Sequence, residues 1–458
     1  MEIPFQFDPM LAFGCLSIML LVGVALRAHV GFFQHFLIPS CLIGGALGLL
    51  LVALGVIRFQ ASVWETFAYH FFNISFISVG LSAGAASRKQ SRADSHYLKG
   101  PLWMCLMQAC SFYLQAAVGG LLVILFGLLG TNLFPTFGFL VPMGFEEGPG
   151  QALSFGKVWE GAGFGDGATI GLTFAAVGFL FAFCAGVPLA NWGLRKGVAS
   201  QGGGRLSRDF LRGIYAEGCG EEAAGKLTTH SANIDTLAFH LALIGLIYGL
   251  TYAFTLGLGK VVALFAPGVA PMLWAFFFFF GMVIAFLVRM TMRKMGADYL
   301  LDAGIQRRIT GWSVDYLIVA TIMAIQVVVV WKYIVPISVM ALSCGVLTTV
   351  TVFYFGSRLW GYNLERTVAI YGMVTGTVSS GLLLLRITDP EFKTPVAVEL
   401  GIVNLFALPV VMGGSILVNA PLWWNWSVGL TVAVFAFILL VSLVLLKILK
   451  MVGPPGWR

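Results

Sequence analysis

The sequence predicts an all-α polytopic membrane protein, from two observations of composition and one of pattern. Hydrophobic residues make up 59% of the 458 residues and charged residues 10%, with a mean hydropathy of +0.92. Soluble domains carry about 25% charged residues. The apolar residues are also gathered in long runs of roughly 17 to 25 residues, the length that crosses about 30 Å of hydrocarbon. A soluble globular domain is therefore excluded.

Eleven apolar runs are predicted to cross the bilayer as helices. The last of them opens with Trp423, Trp424 and Trp426, which are typical of an interfacial aromatic anchor. The predicted spans lie at about 10–26, 37–56, 64–83, 101–129, 167–190, 236–257, 268–290, 313–330, 333–356, 395–418 and 423–449.

Lysine and arginine predict the orientation, because short cytoplasmic loops collect them. With the N-terminus outside, all 27 of these residues fall on the cytoplasmic side except four, and Arg366 and Arg386 are counted as cytoplasmic. The sequence thus predicts a multi-pass protein of the cell inner (plasma) membrane, with an external N-terminus and a cytoplasmic C-terminus. The net charge of +7 is then mostly an orientation signal, and we expect no nucleic-acid partner. The four exceptions are Arg58, Lys157, Lys260 and Lys332.

Two further apolar segments, 132–156 and 362–386, are interrupted near their middles by small and polar residues. Each is too short to cross and return, which needs about 40 helical residues. We predict that each is a re-entrant hairpin that enters the bilayer and leaves on the same side. A single broken span is the alternative, but it would place the central basic loop outside.

The hairpins reveal a repeat. Five spans with a hairpin between the fourth and fifth form a first repeat, 1–194, and the same order recurs in a second repeat, 236–420. An odd number of spans inverts the second copy, so the hairpins enter from opposite sides with their tips approaching each other. Inverted repeats with discontinuous helices are the architecture of many secondary transporters. Residues 195–235 are predicted to be a cytoplasmic linker and 421–458 an extra C-terminal transmembrane helix.

The first hairpin, with the sequence GFEEGPGQ at 144–151, carries the candidate binding residues Glu146, Glu147, Gly148, Gly150 and Gln151. An ionisable side chain at bilayer depth costs about 2.5–3.5 kcal/mol on insertion scales, so these acids need a reason to be there. Either acid is a candidate cation ligand, because hard cations prefer oxygen. Alternatively one of them carries a proton, or both are solvated or structurally paired at the outer mouth.

The second hairpin, with YGMVTGTVSSG at 371–381, supplies four hydroxyls between glycines, on Thr375, Thr377, Ser379 and Ser380. Hydroxyl oxygens suit a dehydrated Na⁺ or a polar substrate. The alternative is that each hydroxyl only bonds back to the preceding helical turn.

Polar residues within the spans complete the candidate site. These are Asn73 and Ser75 on the third span and Glu399 and Asn404 on the tenth. An acid inside the membrane is a functional hypothesis by default, although Glu399 lies close enough to the cytosolic end to be simply exposed. Candidate sodium ligands are Glu147, Thr375, Thr377 and Asn404.

Several motifs in order resemble one known family. They are Ile38-Pro39 followed by Gly44-Gly45 in the second span, FNISFISVGL at 72–81, both hairpins, and DPEFKTP at 389–395. Over about 1–420 the chain resembles the sodium/glutamate symporter family.

This resemblance implies an elevator-type transporter. It would be a homodimer of ten-span inverted-repeat subunits, with a scaffold part and a transport part that slides across the membrane carrying glutamate and Na⁺. The chain departs from the family at the tips, where Glu146-Glu147 replaces a glycine-rich stretch with a histidine. The Thr-Pro usual in the family's second hairpin is also missing around Thr375–Ser380.

Three functions are thus open. The first is sodium-coupled symport of glutamate or a related small carboxylate by alternating access, with co-transported Na⁺ and no cofactor. The second is a proton-coupled transporter of another amino acid or organic solute on the same fold. The third, a membrane-embedded enzyme, is disfavoured because no HExxH metal motif occurs, and we expect no enzymatic activity.

Overall fold

The fold is described from a computed structural model, which covers residues 6–82, 95–200, 208–217, 223–390, 392–406 and 408–457. This part of the chain is all helical and contains no strand. The helices of the first half are α1 (Asp8–His29), α2 (Gly31–His35), α3 (Ser40–Ala53), α4 (Ala61–Ser82), α5 (Ser95–Leu128), α6 (Leu140–Phe145), α7 (Pro149–Gly161), α8 (Gly167–Arg195) and α9 (Arg208–Arg212). Those of the second half are α10 (Thr236–Phe265), α11 (Phe277–Lys294), α12 (Ala303–Ala324), α13 (Val327–Lys332), α14 (Ile334–Gly356), α15 (Asn363–Val374), α16 (Val378–Thr388), α17 (Val396–Phe406), α18 (Leu408–Leu417), α19 (Ala420–Trp423) and α20 (Val428–Ile448).

Among the described residues, seven helices are long and apolar enough to cross a membrane, as a polytopic membrane protein requires. They are α1, Lys99–Leu128 within α5, α8, α10, Ala270–Lys294 including α11, α14 and α20. The other four predicted spans correspond to helices of different character. Helix α3 has only 14 residues, α4 and α12 are less apolar, and the tenth span is divided into α17 and α18. Eleven crossings therefore stay a prediction.

The chain divides into two compact units. Unit 1 comprises Met1–His29, Pro39–Arg92 and Gly213–Ala324, and unit 2 comprises Val30–Ile38, Ala93–Arg212 and Ile325–Arg458. Both units draw helices from both halves of the sequence, so the boundaries of the predicted repeats are not the boundaries of the compact units.

In unit 1, α4 packs along α11 and α12. Helix α4 is less apolar because it carries polar side chains, and these have a polar partner inside the unit. The Ser78 hydroxyl donates to the Gln306 side-chain oxygen at 2.6 Å. The apolar side chains around this contact form the core of unit 1, with Ile77, Leu81, Ile244, Ile247, Ala285 and Ile309 all buried.

Glycines let α1 and α3 cross in backbone contact. A Cβ atom built on Gly23 would lie 2.1 Å from the Ser40 carbonyl oxygen, and one on Gly44 would lie 2.2 Å from that of Met19. Gly45 packs against Ile322 of α12 in the same way. Small residues at such crossings are common in membrane helix packing, because they let the helices approach closely. The Gly44-Gly45 pair therefore has a structural role.

In unit 2, α5 runs through the centre of the packing, in contact with α14, α17 and α20. Helix α8 covers α6, α7 and α16. Helix α7 is also held from its far end, because the Trp159 indole nitrogen donates to the Asn419 side-chain oxygen at 2.7 Å. The broken segments α6–α7 and α15–α16 are thus packed inside this unit.

Candidate binding site at two helix breaks

The first break separates α6 from α7 at Glu146, Glu147 and Gly148. Gly148 has φ 84° and ψ −179°, a conformation essentially restricted to glycine. Pro149 then begins α7, where its fixed φ suits the first helical turn and its missing N–H costs nothing. The Gly-Pro sequence therefore ends one helix and starts the next.

The two acids of this break have different surroundings. Glu146 is 4% exposed, and neither of its carboxyl oxygens has a hydrogen-bond partner among the described residues. Glu147 accepts a hydrogen bond from the Gln151 side-chain nitrogen at 2.6 Å, and its other oxygen is unpaired within the described structure. A buried carboxyl without a partner is costly, so the break has unused capacity to bind a cation or a hydrogen-bond donor.

The second break separates α15 from α16 at Thr375, Gly376 and Thr377. The side chain of Thr377 caps α16 by accepting from the Ser380 backbone nitrogen at 3.4 Å. A Cβ atom on Gly372 would lie 2.8 Å from the Cα of Gly381, so the chain reverses at the break and the two helices pack side by side.

The two breaks are in contact within unit 2. A Cβ atom on Gly148 would lie 3.2 Å from Thr377 Cγ2 and 3.3 Å from the Gly376 carbonyl oxygen. These breaks occupy the positions predicted for the two hairpin tips. The two breaks and the carboxyl groups of the first therefore lie in one neighbourhood.

The four hydroxyls predicted at the second break differ in burial and in hydrogen bonding. Thr375 is buried and donates to the Tyr371 carbonyl oxygen at 2.6 Å, as the alternative interpretation expects. Donation uses only the hydroxyl hydrogen, so its oxygen lone pairs are still able to accept. Ser380 is buried within 3.4 Å of the Thr377 hydroxyl, whereas Ser379 is exposed.

Sequence reasoning missed the polar face of α5. Gln115 is fully buried and its side-chain nitrogen donates to the Val374 carbonyl oxygen, at the edge of the second break, at 3.2 Å. Its side-chain oxygen is unpaired within the described structure, as are those of Gln108 and Ser111. The three residues share one helix face by their spacing, and that spacing of polar residues within an apolar span was the signal that could have found them.

Glu399 has a partner that its sequence context does not indicate. Arg366, counted there as a cytoplasmic loop charge, is 5% exposed and donates to both carboxylate oxygens of Glu399, at 2.8 and 2.6 Å. Cytosolic exposure of Glu399 is therefore wrong, since this residue is 4% exposed. Its carboxylate is occupied by a bidentate ion pair, which favours a structural role over ligand binding.

Two other predicted residues belong to unit 1, and the side chain of a third lies outside the described residues. Asn73 and Ser75 belong to unit 1, where Asn73 is buried beside Tyr69 and Tyr248 and Ser75 donates to the Phe72 carbonyl oxygen at 2.7 Å. The side chain of Asn404 lies outside the described residues. Gly150 and Gln151 are buried in the first turn of α7, next to the acids.

One hydrolase-like pattern, GLSAG at 80–84, carries no support for an enzyme. The nucleophile elbow that this pattern marks is a strand-to-helix turn. Here Ser82 ends a helix, and its hydroxyl donates to the Ser78 and Val79 carbonyl oxygens, each at 3.0 Å.

Replacing Gly148 by alanine is expected to weaken ligand binding and to destabilise the break by about 1–3 kcal/mol, since a side chain is strained in this conformation. Gly161→Ala, at the open end of α7, is the matched control and is expected to be neutral. Thermal unfolding in detergent, with and without Na⁺, measures both effects. Equal behaviour of the two variants would contradict the strain at Gly148.

The chain was compared with known protein families and with curated sequences. No protein-family model matches the chain, and a search of curated protein sequences finds no match either.

Proposed function

We propose that this chain is a secondary active transporter whose binding site is formed at the two helix breaks. The observation that supports it best is the contact of Gly148 with the Gly376 carbonyl oxygen and the Thr377 side chain, beside Glu146, a buried acid with no hydrogen-bond partner among the described residues. Transporters build substrate and ion sites from discontinuous helices of this kind, because unwound backbone and helix ends supply polar groups inside the membrane.

The order of elements supports two repeats. Each half contributes three helices or helix groups to unit 1, namely α1, α3 and α4, then α10, α11 and α12. Each half then contributes to unit 2 a helix, a broken pair and a further helical segment. Under the proposal the broken pairs are re-entrant hairpins, and unit 2 is the transport part of an elevator.

The first candidate is sodium-coupled symport of glutamate or a related small carboxylate, which the family resemblance implies. Glu147, Thr375 and Thr377 supply oxygen ligands near the breaks, as sodium prefers. At −100 mV and a tenfold gradient, one Na⁺ supplies about 3.7 kcal/mol. That could accumulate a neutral solute roughly several hundred-fold, whereas an anion needs more ions.

The second candidate, proton coupling with another amino acid or organic solute, is favoured by the charges at the breaks. Both acids lie there, whereas Arg366 is bound to Glu399 and Arg386 is exposed and lies over the Phe392 ring. A substrate carboxylate would therefore meet no arginine of the second hairpin that is both buried and free. The proposal also includes a homodimer in a plasma membrane, with the N-terminus outside.

Reconstitution of the full chain in liposomes tests the proposal. Labelled amino acids and dicarboxylic acids are screened with an imposed Na⁺ gradient and, separately, with an imposed pH gradient. Uptake driven by the Na⁺ gradient supports the first candidate, and uptake driven only by the pH gradient supports the second. Absence of gradient-driven accumulation for every compound would contradict a secondary transporter.

In the same liposomes, Glu147→Gln is expected to weaken cation binding by roughly 10- to 150-fold, because it removes a charge-assisted interaction worth about 1.5–3 kcal/mol. The readout is the cation concentration that gives half-maximal uptake. Glu160→Gln is the matched control, since this acid lies on α7, the helix that follows the break, and pairs with Lys157 at 3.0 Å. Unchanged cation dependence in Glu147→Gln would overturn the role of this carboxylate.

A further inference from the structure

Two buried glutamines border the contact between the breaks. Gln115 of α5 donates its side-chain N–H groups to the Val374 carbonyl oxygen at 3.2 Å and to the Thr348 hydroxyl at 3.1 Å. Gln151, in the first turn of α7, donates to Glu147 at 2.6 Å. Gln115 is fully buried and Gln151 is 1% exposed, and the amide oxygen of each has no hydrogen-bond partner among the described residues. Each amide therefore bonds to the protein through its nitrogen and leaves its oxygen unused.

The orientation of the Gln115 amide is fixed by its partner. A backbone carbonyl only accepts hydrogen bonds, so the nitrogen and not the oxygen of Gln115 must face Val374. The unused atom is then an acceptor, and an amide oxygen is an acceptor whether the neighbouring acids are ionised or protonated. A buried acceptor without a donor is costly, so a ligand that brings a donor to this oxygen would be bound favourably.

The other unpaired polar atoms around the breaks are mostly acceptors as well. Gln108 and Ser111 share the face of α5 that carries Gln115, and α5 packs against both α6 and α15, the helices that lead into the two breaks. The unpaired atoms are the amide oxygen of Gln108, the hydroxyl of Ser111 and carboxyl oxygens of Glu146 and Glu147. In this set only the Ser111 hydroxyl is able to donate whatever the protonation of the acids.

No side-chain cation is available to balance these acceptors. Among the described residues of unit 2, Arg366 is the only buried lysine or arginine, and it donates to both carboxylate oxygens of Glu399. A substrate carboxylate would place its own lone pairs against the amide oxygens, whereas a nitrogen with several N–H groups would donate to them. The ligand chemistry that fits is therefore an amino or ammonium group.

We propose that the side-chain oxygens of Gln115 and Gln151 bind an amino or ammonium group of the substrate, so that the transported compound is an organic amine. The inference rests on the proposed function and deepens it, since it names the substrate class of the same site. It applies to a diamine and to an amino acid alike, because both carry the nitrogen that these oxygens bind.

Three compounds with the same four-carbon chain test the proposal on the purified full chain in detergent, at a fixed Na⁺ concentration. 1,4-Diaminobutane carries two amino groups, 4-aminobutanoate carries one and succinate carries none. We expect the two amines to raise the midpoint of thermal unfolding and succinate to leave it unchanged. Stabilisation by succinate as large as that by 1,4-diaminobutane would overturn the proposal. Stabilisation by none of the three would also overturn it, since buried water would then satisfy the amide oxygens.

Methionine at either glutamine removes the amide oxygen with little change in side-chain size. Gln115→Met and Gln151→Met are each expected to raise the Kd for 1,4-diaminobutane roughly 10- to 150-fold, the range for a hydrogen bond to a charged group. The Kd is read from the concentration dependence of the thermal shift. Gln115→Glu keeps an acceptor oxygen and is expected to retain binding.

Gln306→Met is the matched control, since Gln306 is a buried glutamine of unit 1. It is expected to change the absolute stability but not the shift that the amine causes. An unchanged Kd in both Gln115→Met and Gln151→Met would overturn the role of the amide oxygens. If these two variants alter only the stabilisation by NaCl, the oxygens bind the ion and the inference fails.

Binding in detergent does not depend on a gradient, so it separates this inference from the proposed function. Stabilisation by the amines in a chain that accumulates nothing in liposomes would reject the proposed function alone. Gradient-driven accumulation of succinate, with no stabilisation by either amine, would reject this inference alone.

Discussion

Replacing Arg366 by methionine is expected to lower the free energy of unfolding by about 3–5 kcal/mol, because it leaves the Glu399 carboxylate buried without its cation. The pair joins α15 to α17, and both side chains are almost fully buried. Arg366 also donates to the carbonyl oxygens of Trp360 and Gly361, at 3.3 and 3.0 Å. The variant would thus lose three sets of contacts, and reversible denaturation in detergent measures the loss.

Two variants separate the charge effect from lost packing. Arg366→Met combined with Glu399→Leu is expected to recover most of the stability, since a buried ion pair can often be exchanged for apolar residues at little cost. Arg386→Met, an exposed arginine that lies 5.0 Å from the Phe392 ring centroid, is expected to change stability by at most about 1 kcal/mol. A double variant no more stable than Arg366→Met would mean that packing, not the unpaired carboxylate, causes the loss.

Alanine at Gly23 and alanine at Gly14 are expected to change stability in opposite directions, although both lie on α1. At Gly23 the added Cβ would lie 2.1 Å from the Ser40 carbonyl oxygen and 2.9 Å from the Gly44 nitrogen, so α1 and α3 must separate. Overpacking of this kind typically costs about 1–3 kcal/mol. The clashing atoms here belong to the backbone, which moves aside less easily than a side chain does. At Gly14 nothing lies within 4 Å, and alanine is expected to gain about 0.5–1 kcal/mol.

The difference between these two variants, measured in the same detergent, removes the contribution of helix propensity because both substitutions are alike. We expect a separation of about 1–3 kcal/mol in unfolding free energy, the cost of the overpacking alone. Equal stabilities would mean that the crossing of α1 and α3 is not tight in solution.

The helix breaks could be predicted from the sequence because their cause is local. Gly148-Pro149 and the glycines around Thr375 act through the backbone geometry of a few neighbouring residues. The acids could be located for the same reason, since a carboxyl in an apolar segment is conspicuous whatever surrounds it.

The partners of the polar residues could not be predicted, because they depend on long-range packing. Arg366 finds Glu399, 33 positions later, and Gln115 finds Val374, 259 positions later. Composition alone made Arg366 resemble a loop charge, and only the fold reveals that its guanidinium is buried. The division into two units was hidden for the same reason, since each unit is assembled from three separate stretches of sequence.

The interleaving of the two units has a consequence for biosynthesis. Helix α4 ends at Ser82 and its partner α12 begins at Ala303, so about 220 residues must be made before they can pack. At about 5–20 residues per second this takes roughly 10–45 s. Until the ribosome has delivered Gln306, the Ser78 hydroxyl lacks the partner it has in the finished protein. Before then water, the insertion machinery or another helix must occupy this face of α4, and packing of unit 1 is complete only after α12, which ends at Ala324, has been made.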